Sequence, residues 1–450
     1  MQSILIHVAV CVGLFVCCGT AEQPSLKPPL ERMTGTGDAD PSDEAGLPVG
    51  AVVTAADNRF GLELFRALHE QEPNRNLFIS PTSISMAMAM TWNGAKGSTA
   101  SEMADALGFG GLDREAVSIA NAARLAAYRS VDPKVQLEVA NALFSRQGIP
   151  FDKDYLETNR SSYEAEVREL DFADPLAVGV INDWVSTKTH GKITELFDRL
   201  EPEDVLVLAN AVYFKGRWTD EFKKERTRDR DFHLPDGGTK QHPMMSQDGD
   251  YRYFAGDGFQ VASLPYGEGR FEMLVFLPEQ ASVEMEEFPI DEEDEPAYYS
   301  EPVDPGTSLA LFIEKLTPEY WDRWMASMEE MEGDIALPKF KHRYDRTLND
   351  VLIAMGMEQA FSAKADFSGM LGAPIDMPFF ISDVLHKTFV EVNEEGTEAA
   401  AVTGVKMAMT AMPMEEERFS MVVDRPFFYA IRDREIGSVL FMGTVTDPEL

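Results

Sequence analysis

Apolar positions recur with a helical period in several segments of the chain. Residues 58–70 carry apolar side chains three and four positions apart, which predicts an amphipathic helix. A Ser-Pro pair, which commonly begins helices, predicts a second helix from Pro81 to about Trp92. Thr99, followed three residues later by Glu102, predicts the capped start of a third helix.

Other segments follow the patterns that strands show. Residues 135–144 predict one strand. Residues 205–218 form a nearly continuous apolar run, which predicts a strand buried on both faces. Between these two strands, residues 181–197 predict a further helix that stops near Gly191.

Two more predicted strands, residues 388–392 and 419–431, enclose a long segment of small side chains. Beginning at Thr397, alternate residues are small or apolar and none is charged, whereas Glu398 and Lys406 fall on the other face. Because strand side chains alternate between faces, this segment can join a sheet with its first face buried and its charges in water. A linker that never inserts has the same composition, and the pattern leaves both interpretations open.

The chain of 450 residues is strongly acidic, with 77 Asp and Glu against 40 Lys and Arg and a formal net charge of −37. Nucleic acids and anionic membranes bind clustered Lys and Arg, so neither is an expected partner. An acidic run lies within residues 280–306, and runs of this kind are typical of solvated surface excursions. We therefore predict a surface insertion there.

Residues 1–21 contain no Asp, Glu, Lys or Arg and are mostly apolar. This pattern predicts a secretory signal, and hence a secreted, extracellular protein. A lipid tether through Cys17 or Cys18, or a short anchor, is the alternative. All three cysteines lie in this segment, so the chain beyond it has no disulfide. Residues 22–50 predict a flexible leader, and residues 51–450 the folded domain.

The sequence lacks the motifs that carry catalysis or cofactor binding. It contains no Gly-x-Ser-x-Gly elbow, no HExxH motif and no CxxC pair. The histidines are scattered without metal-ligand spacing. The segment GAKGST at residues 94–99 lacks the Walker spacing, in which Ser or Thr directly follows Gly-Lys. We therefore expect no enzyme activity, no cofactor and no metal.

Three long segments carry a resemblance to a known family. They are NLFISPTSISMAMAMTWNGAKGSTASEMADALGF from residue 76, VNEEGTEAAAVTG from residue 392 and VVDRPFFYAI from residue 422. Together they resemble the amino-terminal core, hinge and carboxyl-terminal signature of the serpins, the serine protease inhibitors. The resemblance implies an α+β fold with three β-sheets, about nine α-helices and an exposed reactive-centre loop at residues 394–418.

The resemblance also implies how such a loop works. A target protease cleaves it as bait, and the freed stretch inserts as a new strand in the largest sheet, which makes the inhibitor a suicide substrate. Thr397 would enter the sheet first, and the small residues after it offer little steric resistance, so the sequence favours inhibition. The hinge residues implied by the matching motif are Glu394, Gly396, Thr397, Glu398, Ala399, Ala400 and Ala401.

Family spacing from the hinge places the scissile bond between Thr410 and Ala411, with the bond after Met409 as the alternative. Thr410 suits serine proteases with small or apolar pockets, elastase-like or subtilisin-like. It does not suit trypsin-like enzymes, which require Lys or Arg. The bait is rich in methionine, so oxidation to the polar sulfoxide is expected to weaken inhibition. These methionines are Met407, Met409, Met412 and Met414.

Two further sites follow from the resemblance. His386 is implied to bond within a cluster beneath the main sheet, together with Ser80, Ser83 and Asn210, and this cluster would control how easily the sheet opens. Trp218 is implied to lie at the upper end of the main sheet, where the loop first enters, and it also fits a core aromatic.

The rival hypothesis is a non-inhibitory serpin that acts as a carrier, chaperone or storage protein. Such a protein would be cleaved without trapping the protease. No heparin site is expected, because the helical stretch 113–129 has Arg114, Arg124 and Arg129 but no dense basic face. We expect a monomer.

Overall fold

The computed structural model describes most of the chain. The described residues are 4–14, 48–129, 133–201, 204–280, 282–287, 297–302, 304–375, 378–396 and 417–450, and for 4–14, 282–287 and 297–302 the description covers the backbone alone. Within these residues there are nine α-helices and three sheets. The helices are α1 Val49–Gln71, α2 Pro81–Trp92, α3 Gly97–Leu107, α4 Arg114–Tyr128, α5 Lys153–Tyr163, α6 Ala177–Lys188, α7 Pro305–Glu314, α8 Pro318–Ser327 and α9 Asn349–Ala354.

The strands are numbered in chain order. They are β1 Ile4–Leu14, β2 Phe78–Ile79, β3 Val135–Arg146, β4 Glu166–Leu170, β5 Asp204–Gly216, β6 Arg228–His233, β7 Thr239–Gly256, β8 Phe259–Tyr266, β9 Phe271–Pro278, β10 Ser282–Glu287, β11 Ala297–Pro302, β12 Glu329–Pro338, β13 Phe340–Thr347, β14 Phe379–Val392, β15 Phe419–Val422, β16 Phe427–Asp433 and β17 Val439–Val445. Among the described residues, none of the helices has the length and apolar composition needed to cross a membrane.

In the part of the chain that the structure describes, seventeen strands form three sheets. The six-stranded sheet has the order β13-β14-β1-β5-β3-β4, and the nine-stranded sheet has the order β15-β12-β7-β8-β9-β16-β17-β2, with β6 paired to β7. Strands β10 and β11 form a separate antiparallel hairpin inside the predicted acidic insertion.

The six-stranded sheet has a hydrophobic core on each face. Alternate residues of β5 belong to different cores. Leu208 belongs to the large core that includes residues of α1, α2 and the nine-stranded sheet. Ala209 joins a smaller core that includes Ile181 and Trp184 of α6. A strand covered on both faces needs apolar residues at nearly every position, which explains the continuous apolar run that predicted β5.

Of two sequence predictions about helix ends, one is wrong and one is confirmed. Thr99 does not cap α3, which begins at Gly97. The Thr99 hydroxyl instead accepts a hydrogen bond from the backbone N–H of Asp366, at 2.9 Å, in a remote segment. Helix α6 ends at Lys188, close to the stop predicted near Gly191, because the backbone turns into the left-handed region at His190 and again at Gly191.

Strand β1 lies in a segment for which the sequence pattern predicted a secretory signal and no strand. This strand comes from the predicted signal segment and lies inside the six-stranded sheet, parallel to both of its neighbours. Its register with β14 runs from Ile4 opposite Phe379 to Gly13 opposite Phe389. Its register with β5 ends with Leu14 opposite Phe214. We call the space between β14 and β5 the seam, and β1 fills it.

Candidate functional site

The reactive loop begins in a tight turn at the end of β14. The backbone N–H of Asn393 donates to the carbonyl of Gly396 at 3.3 Å, and Gly396 returns a bond to the Asn393 carbonyl at 3.2 Å. Gly396 also forms an antiparallel bridge with Arg217, just beyond the end of β5. The chain has therefore reversed direction by Gly396, which lies between the ends of the two strands that border the seam. We call this end of the seam the mouth.

Glycine is required at position 396 by both conformation and space. Its φ of +92° lies in the region that side chains with a Cβ rarely adopt. An added Cβ would lie 2.3 Å from the backbone nitrogen of Trp218 and 2.7 Å from the carbonyl oxygen of Gly216. These neighbours are backbone atoms, so they cannot move aside as a flexible side chain would.

Trp218 lies beside the mouth, directly after Arg217. Its ring stacks on Tyr266 with centroids 4.4 Å apart and an interplanar angle of 12°. Its indole N–H donates to the carbonyl of Asn393 at 3.0 Å, so the ring is tied to the start of the loop. The same ring belongs to the core, being only 2% exposed, and its role in loop entry stays a prediction.

Glu394 anchors the turn through a buried carboxylate. One of its oxygens lies 3.0 Å from the Lys339 ammonium, and the other accepts a bond from the Thr227 hydroxyl at 2.9 Å. Its backbone carbonyl accepts a bond from the N–H of Phe222 at 2.8 Å. Burial alone would raise the pKa of Glu394, but the bonds from Lys339 and Thr227 outweigh it and lower that pKa. The anchor is therefore ionised at neutral pH.

The neighbouring Glu395 adds a more exposed contact, an ion pair with Lys224. The two glutamates of the hinge motif thus both bind the segment 222–227, and Glu394 also binds Lys339. Sequence reasoning named Glu394 but missed Lys339, Thr227 and Phe222. No local signal identifies these partners, since each lies far from the hinge in sequence.

The loop's other end is fixed to the nine-stranded sheet. Arg418 pairs with Glu332 and lies 3.7 Å from Asp334. Phe419 then begins β15, pairs with Gly333 of β12 and stacks on Tyr253 with centroids 3.9 Å apart. Two tethers therefore hold the loop: the contacts of Glu394 directly after β14, and those of Arg418 and Phe419 on the nine-stranded sheet. Residues 397–416 lie between them in the sequence.

The remaining loop predictions lie outside the described residues. They comprise the proposed reactive bond and the part of the hinge after Gly396, namely Thr397, Glu398, Ala399, Ala400, Ala401, Met409, Thr410 and Ala411.

The cluster implied beneath the sheet is brought together only in part. Ser83 of α2 donates to the side-chain carbonyl of Asn210 on β5. The amide of Asn210 donates in turn to Asn141 of β3 at 2.6 Å. Ser80 instead donates to the backbone carbonyl of Leu440 on β17, at 2.8 Å.

His386 lies on the other side of the seam from Asn210. It is fully buried on β14, and the register places Val10 of β1 opposite both His386 and Asn210. One strand therefore separates His386 from the Ser83 and Asn210 pair. Asn141, which the sequence analysis did not name, is the cluster member that the structure adds.

These observations define a class of protein. A central sheet holds an additional strand between two parallel strands, and a long loop starts at the mouth of that same seam and returns to a second sheet. In this class, the central sheet accepts strands, and the loop stands beside the entrance.

Comparison with known proteins agrees with that class. The family model described as "Serpin (serine protease inhibitor)" matches residues 55–448. The chain therefore belongs to the serpin family, as its sequence motifs predicted.

Two curated relatives illustrate the match. The leukocyte elastase inhibitor of Homo sapiens is 37% identical over 405 residues, which cover 88% of this chain and 99% of the relative. An uncharacterized serpin-like protein of Thermococcus kodakarensis is 36% identical over 399 residues, covering 88% of this chain and 86% of the relative.

Solved structures confirm the predicted α+β fold of three sheets and about nine helices. Human thyroxine-binding globulin in complex with thyroxine has a TM-score of 0.75 and 25% identity, and the match covers 89% of this chain and 100% of that one. The thermophilic serpin tengpin in its native state has a TM-score of 0.74 and 28% identity, covering 91% of this chain and 96% of that one.

Proposed function

We propose that this protein inhibits a serine protease as a suicide substrate, with residues 394–418 as the bait. The observation that carries the proposal is the geometry of the mouth. Gly396 has already turned back, antiparallel to the ends of both β14 and β5. A cleaved loop can therefore continue into the seam without first reorienting, and the six-stranded sheet already accommodates a strand there.

The chemical step uses the protease's own machinery. The protease serine oxygen bonds to the carbonyl carbon of Thr410, and the bond from that carbon to the nitrogen of Ala411 breaks. The released nitrogen takes up a proton as a new amino terminus, and Thr410 remains joined to the serine as an ester. Insertion of residues 397–410 then carries the acylated protease away before water hydrolyses the ester.

Tethering explains why insertion needs cleavage. Before cleavage, one end of the loop continues from β14 and is anchored by Glu394 to Lys339, and Arg418 with Phe419 holds the other end at the nine-stranded sheet. Cutting between Thr410 and Ala411 separates the two tethers. Only the segment attached through Glu394 remains beside the mouth, and that segment has the alternation a buried strand requires.

The proposed target is a protease with a small or apolar specificity pocket, elastase-like or subtilisin-like. Thr410 and the residues just before it, Ala408 and Met409, offer no cationic side chain to a trypsin-like pocket at the proposed bond. Relatives that are named leukocyte elastase inhibitors support the same class of target. We further propose that the protein is exported and that residues 1–21 are removed.

The experiment changes the charge of one face of the loop at a time in the exported protein. Thr397→Arg places a guanidinium on the face that must be buried, so the loop should be cut but should not insert. Lys406→Glu changes a residue on the alternate face, which the alternation places in water. Each variant is incubated with elastase and analysed on a denaturing gel for a covalent complex.

The expected result is that Thr397→Arg is cleaved without forming a complex, whereas Lys406→Glu forms one like the unchanged protein. Covalent trapping retained by Thr397→Arg would refute insertion as the mechanism. Cleavage without trapping by the unchanged protein would instead favour the non-inhibitory carrier, chaperone or storage role.

A further inference from the structure

The seam already contains a strand, and that strand is the chain's own amino-terminal segment. Ile4–Leu14 pairs along its length with β14 on one side and β5 on the other. Strands β14 and β5 both lie parallel to β1. The backbone N–H and C=O groups with which they bind β1 are those that any strand inserted in the seam would use. Helix α2 packs against β1 from the large core.

The composition of the segment suits this position. ILIHVAVCVGL contains no Asp, Glu, Lys or Arg and only one ionisable imidazole. A strand covered by a core on both faces is expected to be a continuous apolar run. The apolar run that predicts a secretory signal therefore also meets the requirements of the seam.

The register shows what β1 excludes. Gly396 bridges Arg217 in the antiparallel sense. If the loop continued down β5 in that register, residue 397 would come opposite Gly216 and residue 399 opposite Phe214. Phe214 is already paired with Leu14, the last residue of β1. The loop can therefore advance by about two residues before it meets the end of β1.

The centre of the seam gives a second sign of occupation. Val10 lies between His386 and Asn210, which belong to the two bordering strands. With β1 in place, these two polar residues are not neighbours, and the backbone edge of each bordering strand is satisfied by β1. Entry of the loop requires β1 to leave, since one seam holds one strand.

We propose that residues 4–14, when retained, act as an autoinhibitory strand that fills the seam and blocks loop insertion. This inference rests on the proposed inhibitory function and adds its regulation. The full chain is a protease substrate that is cut without trapping, and loss of the amino-terminal strand from the seam converts it to an inhibitor. Removal of residues 1–21 is then the activating step as well as a processing event.

Occupation of the seam is tested by disulfide cross-linking in the full chain, produced in a cytoplasm so that residues 1–21 are retained. The register places Cys11 opposite Ala211 of β5 and Lys387 of β14. Neighbouring strands lie at a spacing that permits a disulfide. Ala211→Cys and Lys387→Cys are each made in a chain with Cys17→Ser and Cys18→Ser. The control is Val212→Cys, which lies opposite Val12.

The expected result is a disulfide from Cys11 to the new cysteine at 211 and, in the other variant, at 387, found by mass spectrometry of peptides without reduction. The Val212→Cys control should give little or none. Absence of the disulfide from both test variants would overturn the occupation of the seam. Two variants on opposite strands keep the test decisive if one of them does not fold.

The regulatory effect is tested by covalent trapping of elastase by full-length chains. Val10→Pro removes a backbone donor in the middle of β1, and proline is not tolerated in a central strand. Val16→Pro is the matched control, because residue 16 lies beyond the end of β1. Trapping should be gained by Val10→Pro and stay undetectable for the unchanged chain and for Val16→Pro.

The outcomes separate the two proposals. Equal trapping by all three chains would overturn autoinhibition and leave the inhibitory function standing. Trapping by none of them, nor by the exported protein, would refute the inhibitory function and autoinhibition with it. In that case, the cross-link would still show whether the amino-terminal segment occupies the seam.

Discussion

Acid should lower the stability of the fold through His342, a buried histidine on β13. His342 lies on β13 opposite Val390 of β14, and its side chain packs against the rings of Phe78 and Phe340. It is 7% exposed, and burial lowers its pKa from 6.5 to about 4. The folded protein therefore holds this imidazole neutral at a pH where the unfolded chain protonates it.

The sign and size of the effect follow from proton linkage. Between pH 6.5 and pH 4 the unfolded state binds more protons, so the free energy of unfolding falls as the pH falls. Going from pH 7 to pH 5, His342 alone should remove about 2 kcal/mol of stability. His69, 4% exposed and with its pKa also lowered to about 4 by burial, adds a similar loss.

The test compares the unchanged protein with His342→Phe, which keeps a ring of similar size and removes the titration. Urea unfolding followed by tryptophan fluorescence is measured at pH 7 and pH 5. The variant should lose about 2 kcal/mol less than the unchanged protein between the two pH values. Val390→Ala is the control, because it deletes buried methyl groups and should cost on the order of 2 kcal/mol at both pH values. If His342→Phe differs from the unchanged protein by the same amount at both pH values, the reasoning is refuted.

Three other predictions concern the body of the fold and the loop. Asp57→Ala should cost about 4 kcal/mol in urea unfolding, because it leaves the buried guanidinium of Arg124 without its carboxylate. By contrast, Arg59→Ala, which removes an exposed pair, should cost about 0.5 kcal/mol, and equal losses would contradict the argument. Gly396→Ala should cost more than Gly437→Ala, since both glycines have positive φ but only the first is crowded by backbone; on the order of 3 against 1 kcal/mol is expected. Mild peroxide should slow protease trapping through the loop methionines, and an unchanged rate would exclude them.

Much of the fold could be predicted because local patterns and tertiary structure agree there. The segment that became β5 is apolar at nearly every position, since two cores cover it. The Ser-Pro pair was correctly interpreted as the start of α2, whose residues are all buried. The capping prediction at Thr99 failed because remote segments use both side chains. The Thr99 hydroxyl accepts a hydrogen bond from the backbone N–H of Asp366, and the Glu102 carboxylate accepts one from the N–H of Gln359.

The hinge residues of the candidate site could be predicted from the sequence, but the residues that bind them could not. The hinge motif located Glu394 and Gly396, and the conformation of Gly396 gives the physical reason for the glycine. The ammonium of Lys339 and the hydroxyl of Thr227 reach Glu394 only through the fold, so no spacing in the sequence reveals them.

The position of the amino-terminal segment also lay beyond the sequence. A short apolar run with no charge is compatible with a signal segment and with a doubly covered strand, and periodicity does not distinguish them. Its place in the structure is decided by β14 and β5, whose backbone N–H and C=O groups along the seam bind β1. These two strands lie about 200 and about 375 residues away from β1 in the sequence.

Covalent trapping of a protease through the reactive loop is the function proposed for this serpin. The most direct test incubates the exported protein, and the full chain carrying Val10→Pro, with elastase, subtilisin, chymotrypsin and trypsin. A denaturing gel then detects covalent complexes, and mass spectrometry identifies the released carboxyl-terminal peptide. We expect a band at the summed mass with elastase or subtilisin and a peptide that begins at Ala411. Clean cleavage of both forms by every enzyme, with no such band, would contradict the proposed function.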